Sequence, residues 1–214
     1  TFRPNNGEPD TTIIVLTGEF IPRPSTPVKN GYTFIGWATS TSGGVEYSNG
    51  QSVTNLTSSN GATITLYAKW NPITYTIEYN GNGNTGGSTA SSIHTYDTAK
   101  NLTSCAFSKT GYTFAGWYAG ETRFYGGAWR KLNNVTLKAK WDINRYYVSV
   151  NGTNGGSVNG EGRYEYNSTV TVSAKSKLGY TWLGWYDDND NIVSTKTTYT
   201  FTVRNSNVVL TAKW

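Results

Sequence analysis

The sequence predicts a mainly β fold built as three small tandem units, and three observations carry that prediction. The same pattern recurs as Gly31-Tyr-Thr-Phe-Ile-Gly-Trp37, Gly111-Tyr-Thr-Phe-Ala-Gly-Trp117 and Gly179-Tyr-Thr-Trp-Leu-Gly-Trp185. Each copy is followed by a second marker: Leu66-Tyr-Ala-Lys-Trp70, Leu137-Lys-Ala-Lys-Trp141 and Leu210-Thr-Ala-Lys-Trp214. The closing Trp residues therefore stand 71 and 73 positions apart. Finally, no segment sustains a 3.6-residue apolar period, whereas alternation with period two is frequent.

The closing segment is the clearest element. Leu66, Ala68 and Trp70 share one face and Thr65, Tyr67 and Lys69 the other, as expected of a half-buried strand. The Gly-Tyr-Thr-Phe segment also reads as a strand, but with bulk on both faces. Simple alternation points Tyr32 and Phe34 one way and Ile35 and Trp37 the other. The first part of each unit reads as a hairpin. Tyr75–Tyr79 leads through Asn80-Gly-Asn-Gly to Ser92–Tyr96, and Tyr147–Val150 leads through Asn151-Gly to Arg163–Tyr166. Asn-Gly supplies the positive φ of a tight turn. In the first unit Asn5-Asn6-Gly7 precedes Ile13–Leu16. Pro22, Pro24 and Pro27 argue against a long helix in the crossover that follows, leaving room for a single helical turn. The unit boundaries are 1–71, with its start truncated relative to the others, 72–142 and 143–214. The links, Asn71-Pro72 and Asp142-Ile143-Asn144, are short, so an elongated rod is expected.

Composition excludes several classes. Of 214 residues, 14% are charged and 14% aromatic, the opposite of a disordered chain. One Cys cannot pair within the chain, and one Cys with one His cannot supply a structural zinc site. The longest aliphatic run, Ile13–Leu16, is far short of a membrane span. The absence of Met is what a piece of a longer chain, or a chain that starts after a removed segment, would show. Units of this size are marginal for one core. Large aromatics compensate, so Trp37, Trp70, Trp117, Trp141, Trp185 and Trp214 are expected in the cores.

The two markers together resemble the Listeria–Bacteroides repeat, the internalin-type B repeat of bacterial surface proteins. The resemblance covers essentially the whole chain. The first two units look like the standard form, including Pro24-Ser-Thr-Pro27 ahead of Lys29-Asn-Gly31. The third looks like the divergent form, with Val148–Val158, Thr169-Val-Thr-Val172 and Trp182 in place of Phe. The resemblance implies α+β units of β-grasp (ubiquitin-like) fold. It implies a secreted or wall-attached bacterial protein with a stalk or adhesive role. It carries no catalytic residues.

Residues that could carry chemistry have structural readings beside them. His94 and Cys105 formally allow a Cys–His nucleophile. Aligning the units sets His94 opposite Ile14 and Tyr164 in a strand, and Cys105 opposite Ser25 and Ser173, so both read as substitutions at structural positions. Gly81-Asn-Gly-Asn-Thr-Gly86 matches a dinucleotide fingerprint, but a strand rather than a helix follows it. Asp187-Asp-Asn-Asp-Asn191 is either a turn or a weak cation site. The 13 acids show no recurrent pair of the kind glycoside cleavage needs. No enzyme and no cofactor is expected.

The candidates for ligand contact are Phe124, Tyr125, Trp129, Arg130 and Lys131 of the second unit. Exposed aromatics suit sugar or protein partners. The alternative makes them core, with Tyr125 matching Tyr47 and Trp129 matching Val53. Most of the net charge of +5 lies in this unit, where Arg123, Arg130, Lys131, Lys138 and Lys140 are close in sequence. A basic face suits an anionic cell-wall polymer or acidic glycan, and it is too sparse for nucleic acid. The expected partners are thus a host surface protein or glycan, or an anionic wall polymer, with no nucleic acid and no membrane span in this segment. The five Asn-x-Ser/Thr sequons arise by chance in a chain this rich in Thr, Ser and Asn.

Overall fold

The computed structural model describes residues 1–16, 18–22, 24–48 and 50–214. The strands are β1 (Phe2–Arg3), β2 (Tyr32–Ala38) and β3 (Leu66–Pro72), then β4 (Thr74–Asn80), β5 (Ser92–Thr95), β6 (Ala99–Lys100), β7 (Tyr112–Ala119), β8 (Thr122–Phe124), β9 (Gly127–Ala128) and β10 (Val135–Ile143). They continue as β11 (Arg145–Gly152), β12 (Gly156–Asn159), β13 (Gly162–Glu165), β14 (Thr169–Ser176), β15 (Gly184–Tyr186), β16 (Ile192–Ser194), β17 (Thr198–Thr202) and β18 (Val208–Lys213).

The chain forms two compact units. The first holds Thr1–Glu78, Ser91–Thr103 and Tyr125–Thr136; the second holds Tyr79–Ala90, Ser104–Phe124 and Leu137–Trp214. In the first, β3 pairs in parallel with β1 and antiparallel with β2. The β4–β5 and β6–β9 pairs are antiparallel. In the second, β7 lies antiparallel to β8 and β10. A five-stranded sheet there has the order β13-β11-β18-β15-β16, with β11 and β18 parallel, and a three-stranded sheet has the order β12-β14-β17.

The mainly β expectation holds, while its α+β half is corrected: the described residues contain no helix. The physical reason is local. In the first crossover, Pro22 and Pro24 remove helical donors. In the second, Thr, Ser and Asn compete for backbone groups from 97 to 110. In the third, the alternating Thr169-Val-Thr-Val172 makes β14 instead. Among the described residues no helix is long and apolar enough to cross a membrane.

Alternation in the Gly-Tyr-Thr-Phe strand is corrected too. Register slips between Phe34 and Gly36, where a β-bulge sits. Gly36, Gly116 and Gly184 adopt φ of 144°, 143° and 149°, which only glycine tolerates well. The bulge puts Phe34 and Trp37 on the same face, ring centroids 5.2 Å apart. Phe34 also meets Trp70 edge-on at 5.5 Å. The same trio recurs as Phe114 with Trp117 and Trp141, and as Trp182 with Trp185 and Trp214. Trp37, Trp117 and Trp185 are buried. Trp70, Trp141 and Trp214 are half-buried, and their indole N–H groups donate to Pro4 O, Gly81 O and Ser176 Oγ at 2.9, 2.8 and 2.8 Å.

In the third copy only Gly184–Tyr186 pairs as a strand. In the first two, the Phe pairs with the closing Trp and the Tyr and Thr pair with residues beyond it, such as Thr33 with Asn71 and Thr113 with Asp142. The third closing strand ends at Lys213.

Candidate functional site

The five contact candidates are split by the fold. Phe124 closes β8 in the second compact unit, paired across from Trp117. It therefore takes the place of Tyr47, which bridges Trp37; the matching of Tyr125 to Tyr47 is corrected by one residue. The cause is register, which a short hairpin between β7 and β8 sets.

Tyr125, Trp129, Arg130 and Lys131 belong to the first compact unit. Tyr125 is 64% exposed, and Arg130 and Lys131 are exposed. Trp129 is half-buried and follows β9, whose pairing with β6 fixes its position. Its carbonyl accepts the Asp97 N–H at 2.8 Å, as Val203 accepts that of Asn167. Trp129 thus stands at the position that Val203 fills in the third repeat, and it is half-buried where Val203 is buried. Its indole N–H donates to Tyr125 O at 3.1 Å.

Around Trp129 the structure gathers residues that the sequence did not single out together. The ring stacks on His94 at 5.9 Å, and His94 stacks on Tyr75 at 5.8 Å. Tyr75 and His94 face each other across β4 and β5. His94 is 1% exposed, and its Nε2 lies 3.0 Å from Ser92 Oγ. His94 Nδ1 and the Tyr75 hydroxyl are buried without a hydrogen-bond partner. Burial holds the His94 imidazole below its ordinary pKa, and the positive Lys100 acts in the same direction. Burial likewise pushes the Tyr75 phenol up. Arg130 grips Asp97 with two hydrogen bonds, Nε at 3.0 Å and Nη2 at 3.1 Å. The pair lies on the surface, so it orients the loop more than it stabilises the fold.

The other candidates are used locally. Cys105, in the second compact unit, donates weakly to Phe107 O at 3.7 Å, and burial raises its thiol pKa. A raised pKa disfavours the thiolate that a nucleophile needs. In Gly81–Gly86, Asn84 Nδ2 donates to Gly86 O and Gly86 bridges Ser108, so the segment is part of a loop-and-bridge turn. Asp187 accepts the N–H groups of Asn189 and Asn191 at 3.0 and 2.8 Å, which lowers its pKa. Asp190 pairs with Lys213. Those oxygens are engaged in the turn, and no cluster of three His, Cys, Asp or Glu is found among the described residues. Lys140 lies over the Tyr118 ring at 4.9 Å.

A second recurrent arrangement was missed from sequence. The Tyr96 ring fills the space where Gly31 has no Cβ, and the Tyr166 ring does the same at Gly111. Gly31 O accepts Ile73 N–H at 3.0 Å, and Ile73 O accepts Tyr96 N–H at 2.9 Å. Gly111, Asn144 and Tyr166 repeat the chain at 2.9 and 2.8 Å. Each joins the end of one sequence repeat to the hairpin of the next. The available signal was a Tyr before Asp97 or Asn167, both at positive φ.

Comparison with known proteins agrees with this periodicity. Residues 1–69 and 75–140 match the Listeria-Bacteroides repeat domain, and residues 146–214 match the divergent InlB B-repeat domain. The chain is 36% identical over 184 residues to a protein of Evansella cellulosilytica provisionally named a Gly-rich membrane protein, covering 83% of this chain and 20% of that protein. It is 32% identical over 194 residues to another provisionally named membrane protein of the same organism, covering 88% of this chain and 27% of that one. It is 32% identical over 142 residues to internalin H of Listeria monocytogenes, covering 63% and 23%. The chain thus spans between a fifth and about a quarter of these relatives. No solved structure matches it. The chain belongs to the Listeria-Bacteroides repeat family, with its last third of the divergent InlB B-repeat type.

Proposed function

We propose that the chain is a non-enzymatic run of extracellular repeats that acts as a stalk or spacer of a larger bacterial surface protein. The observation that carries this reading is the economy of the junctions. The Gly–Tyr contact and its two hydrogen bonds recur at both sequence boundaries, a device suited to holding successive repeats at a set spacing. Three units, 1–71, 72–142 and 143–214, are the proposed repeats of that stalk. His94, Cys105 and Asp187 are spent on packing and turns, which supports a role without catalysis. The names of the relatives, membrane proteins and an internalin, support a place at the cell surface.

Solution scattering on the full chain tests the stalk. An elongated distance distribution is expected, and a compact one would remove the reading. Antibody labelling of intact cells, before and after surface proteolysis, tests the location.

A second reading is favoured by Tyr125, Arg130 and Lys131, exposed beside the half-buried Trp129. Such a patch suits a host glycan or protein, or an anionic wall polymer. A glycan array and binding to purified wall polymer, each repeated with Tyr125→Ala, test it. Binding that ignores both the substitution and added salt would exclude this patch.

A further inference from the structure

The basic residues of the second repeat do not form one patch. Arg130 is held by Asp97 in the first compact unit, whereas Arg123, Lys138 and Lys140 belong to the second. Register brings these three together. Lys138 pairs with Tyr118, and Tyr118 pairs with Arg123 on its other side, so the three side chains share one face of β10, β7 and β8. Lys140 pairs with Gly116 on the same face. This is the solvent face of the sheet: Trp117, Leu137 and Ala139 are buried on the other, and Arg123, Lys138 and Lys140 are exposed.

The long side chains then converge. The Lys140 ammonium lies over the Tyr118 ring, 4.9 Å from its centroid. The Arg123 guanidinium lies over Gly116, with Nε 2.7 Å from where a Cβ would stand. The two cations therefore sit above alternate positions of β7, about 7 Å apart along the strand, and the Lys138 backbone runs one strand spacing, about 5 Å, to the side. Among the described residues neither Lys138 nor Lys140 is in an ion pair. Asp142 follows on that face of β10 and Glu121 lies in the β7–β8 turn, and neither pairs with them. The other repeats do not build this arrangement. Over their bulge glycines, Gly36 and Gly184, they carry Val45 and Ile192 in place of Arg123. Tyr67 and Thr211 stand where Lys138 does. Lys69 donates to Thr41 O at 2.7 Å and Lys213 pairs with Asp190, so both lysines matched to Lys140 are engaged. Like charges held together on paired strands repel, and a bound anion relieves that repulsion.

We infer that this face binds a phosphodiester polymer with short polyol links, an anionic chain of cell-wall type. The inference rests on the wall-polymer form of the second reading above, and it moves the contact from Tyr125, Arg130 and Lys131 to Arg123, Lys138 and Lys140. Charge complementarity names the ligand: cations at steps of about 5–7 Å meet successive phosphates of one chain. Arg123 suits a two-pronged grip on phosphate oxygens, and the two lysines act as point charges. Lys140 covers the Tyr118 ring, so recognition rests on charge rather than on a sugar stacked upon a bare ring.

The test titrates a fluorescently labelled glycerol-phosphate hexamer into the full chain at low and at physiological salt. Arg123→Val with Lys138→Thr installs the residue types that the first and third repeats carry at these positions, and thermal unfolding checks that the fold is kept. The double variant is expected to bind about tenfold or more weakly and with a flatter salt dependence. Lys138→Gln alone, a change at the surface only, is expected to weaken binding by about threefold. Tyr125→Ala and Arg130→Gln are expected to leave binding unchanged. Native affinity in both the double and the Lys138 variants overturns the proposal, as does failure of the native chain to bind the hexamer. Loss confined to Tyr125→Ala or Arg130→Gln would keep the wall-polymer reading and remove this site. A heparin hexasaccharide bound more tightly through the same residues would give the face to sulfated glycans and overturn the phosphodiester assignment.

Discussion

At the scale of single residues, a buried Trp recurs in each repeat, as Trp37, Trp117 and Trp185. Trp117 is 4% exposed and touches Tyr79, Phe107 and Phe114. Trp117→Ala is expected to destabilise by about 3–5 kcal/mol in denaturant titrations. His94 is expected to make stability depend on pH. Its folded pKa is lowered from 6.5, so the unfolded chain binds more protons in mild acid. The stabilisation it permits is present above about pH 6.5 and is lost as pH falls below that. Melting temperatures should therefore drop between about pH 7.5 and about pH 5.5, and His94→Phe should flatten the drop. An unchanged slope in the variant would place the titrating group elsewhere. The buried stack was not legible beforehand, because a period-two pattern shows that His94 is in a strand but not that Trp129, 35 positions on, caps it.

At the scale of elements, a glycine that packs against a ring is distinguished from one that only shapes the backbone. Gly111 and Gly179 have similar φ, 79° and 87°, but the Tyr166 ring crowds the first and nothing lies within 4 Å of the second. Both alanine variants carry the left-handed strain of about 1 kcal/mol. Only Gly111→Ala also displaces a ring, so it should be the more destabilising of the two. Tyr166→Ala in the same chain should narrow the difference, as a double-mutant cycle would measure. The turn at Asp187 makes a different prediction. Its carboxylate already accepts two backbone N–H groups, so added calcium should leave the melting temperature unchanged. The strands themselves were legible from alternation. The bulge was not, because a one-residue slip reverses every later side chain without altering the local pattern.

At the scale of the whole molecule, two compact units are made from three sequence repeats, with residues of the second repeat in both. Unfolding should then depart from a single two-state transition. Calorimetry is expected to give a van't Hoff enthalpy smaller than the calorimetric one, and equality of the two would indicate one cooperative block.

The sequence by itself determined the periodicity, the mainly β class and the six Trp positions, since repeats and alternation are local and are written directly in residue order. It also carried the family, through two short markers repeated at fixed spacing. Tertiary structure alone decided that Phe34 and Trp37 share a face and that Tyr96 and Tyr166 seat on glycines of the preceding repeat. Each of these depends on register and close approach between residues distant in the chain. Such contacts are selected by steric fit and hydrogen bonding in three dimensions, and the order of residues leaves them open.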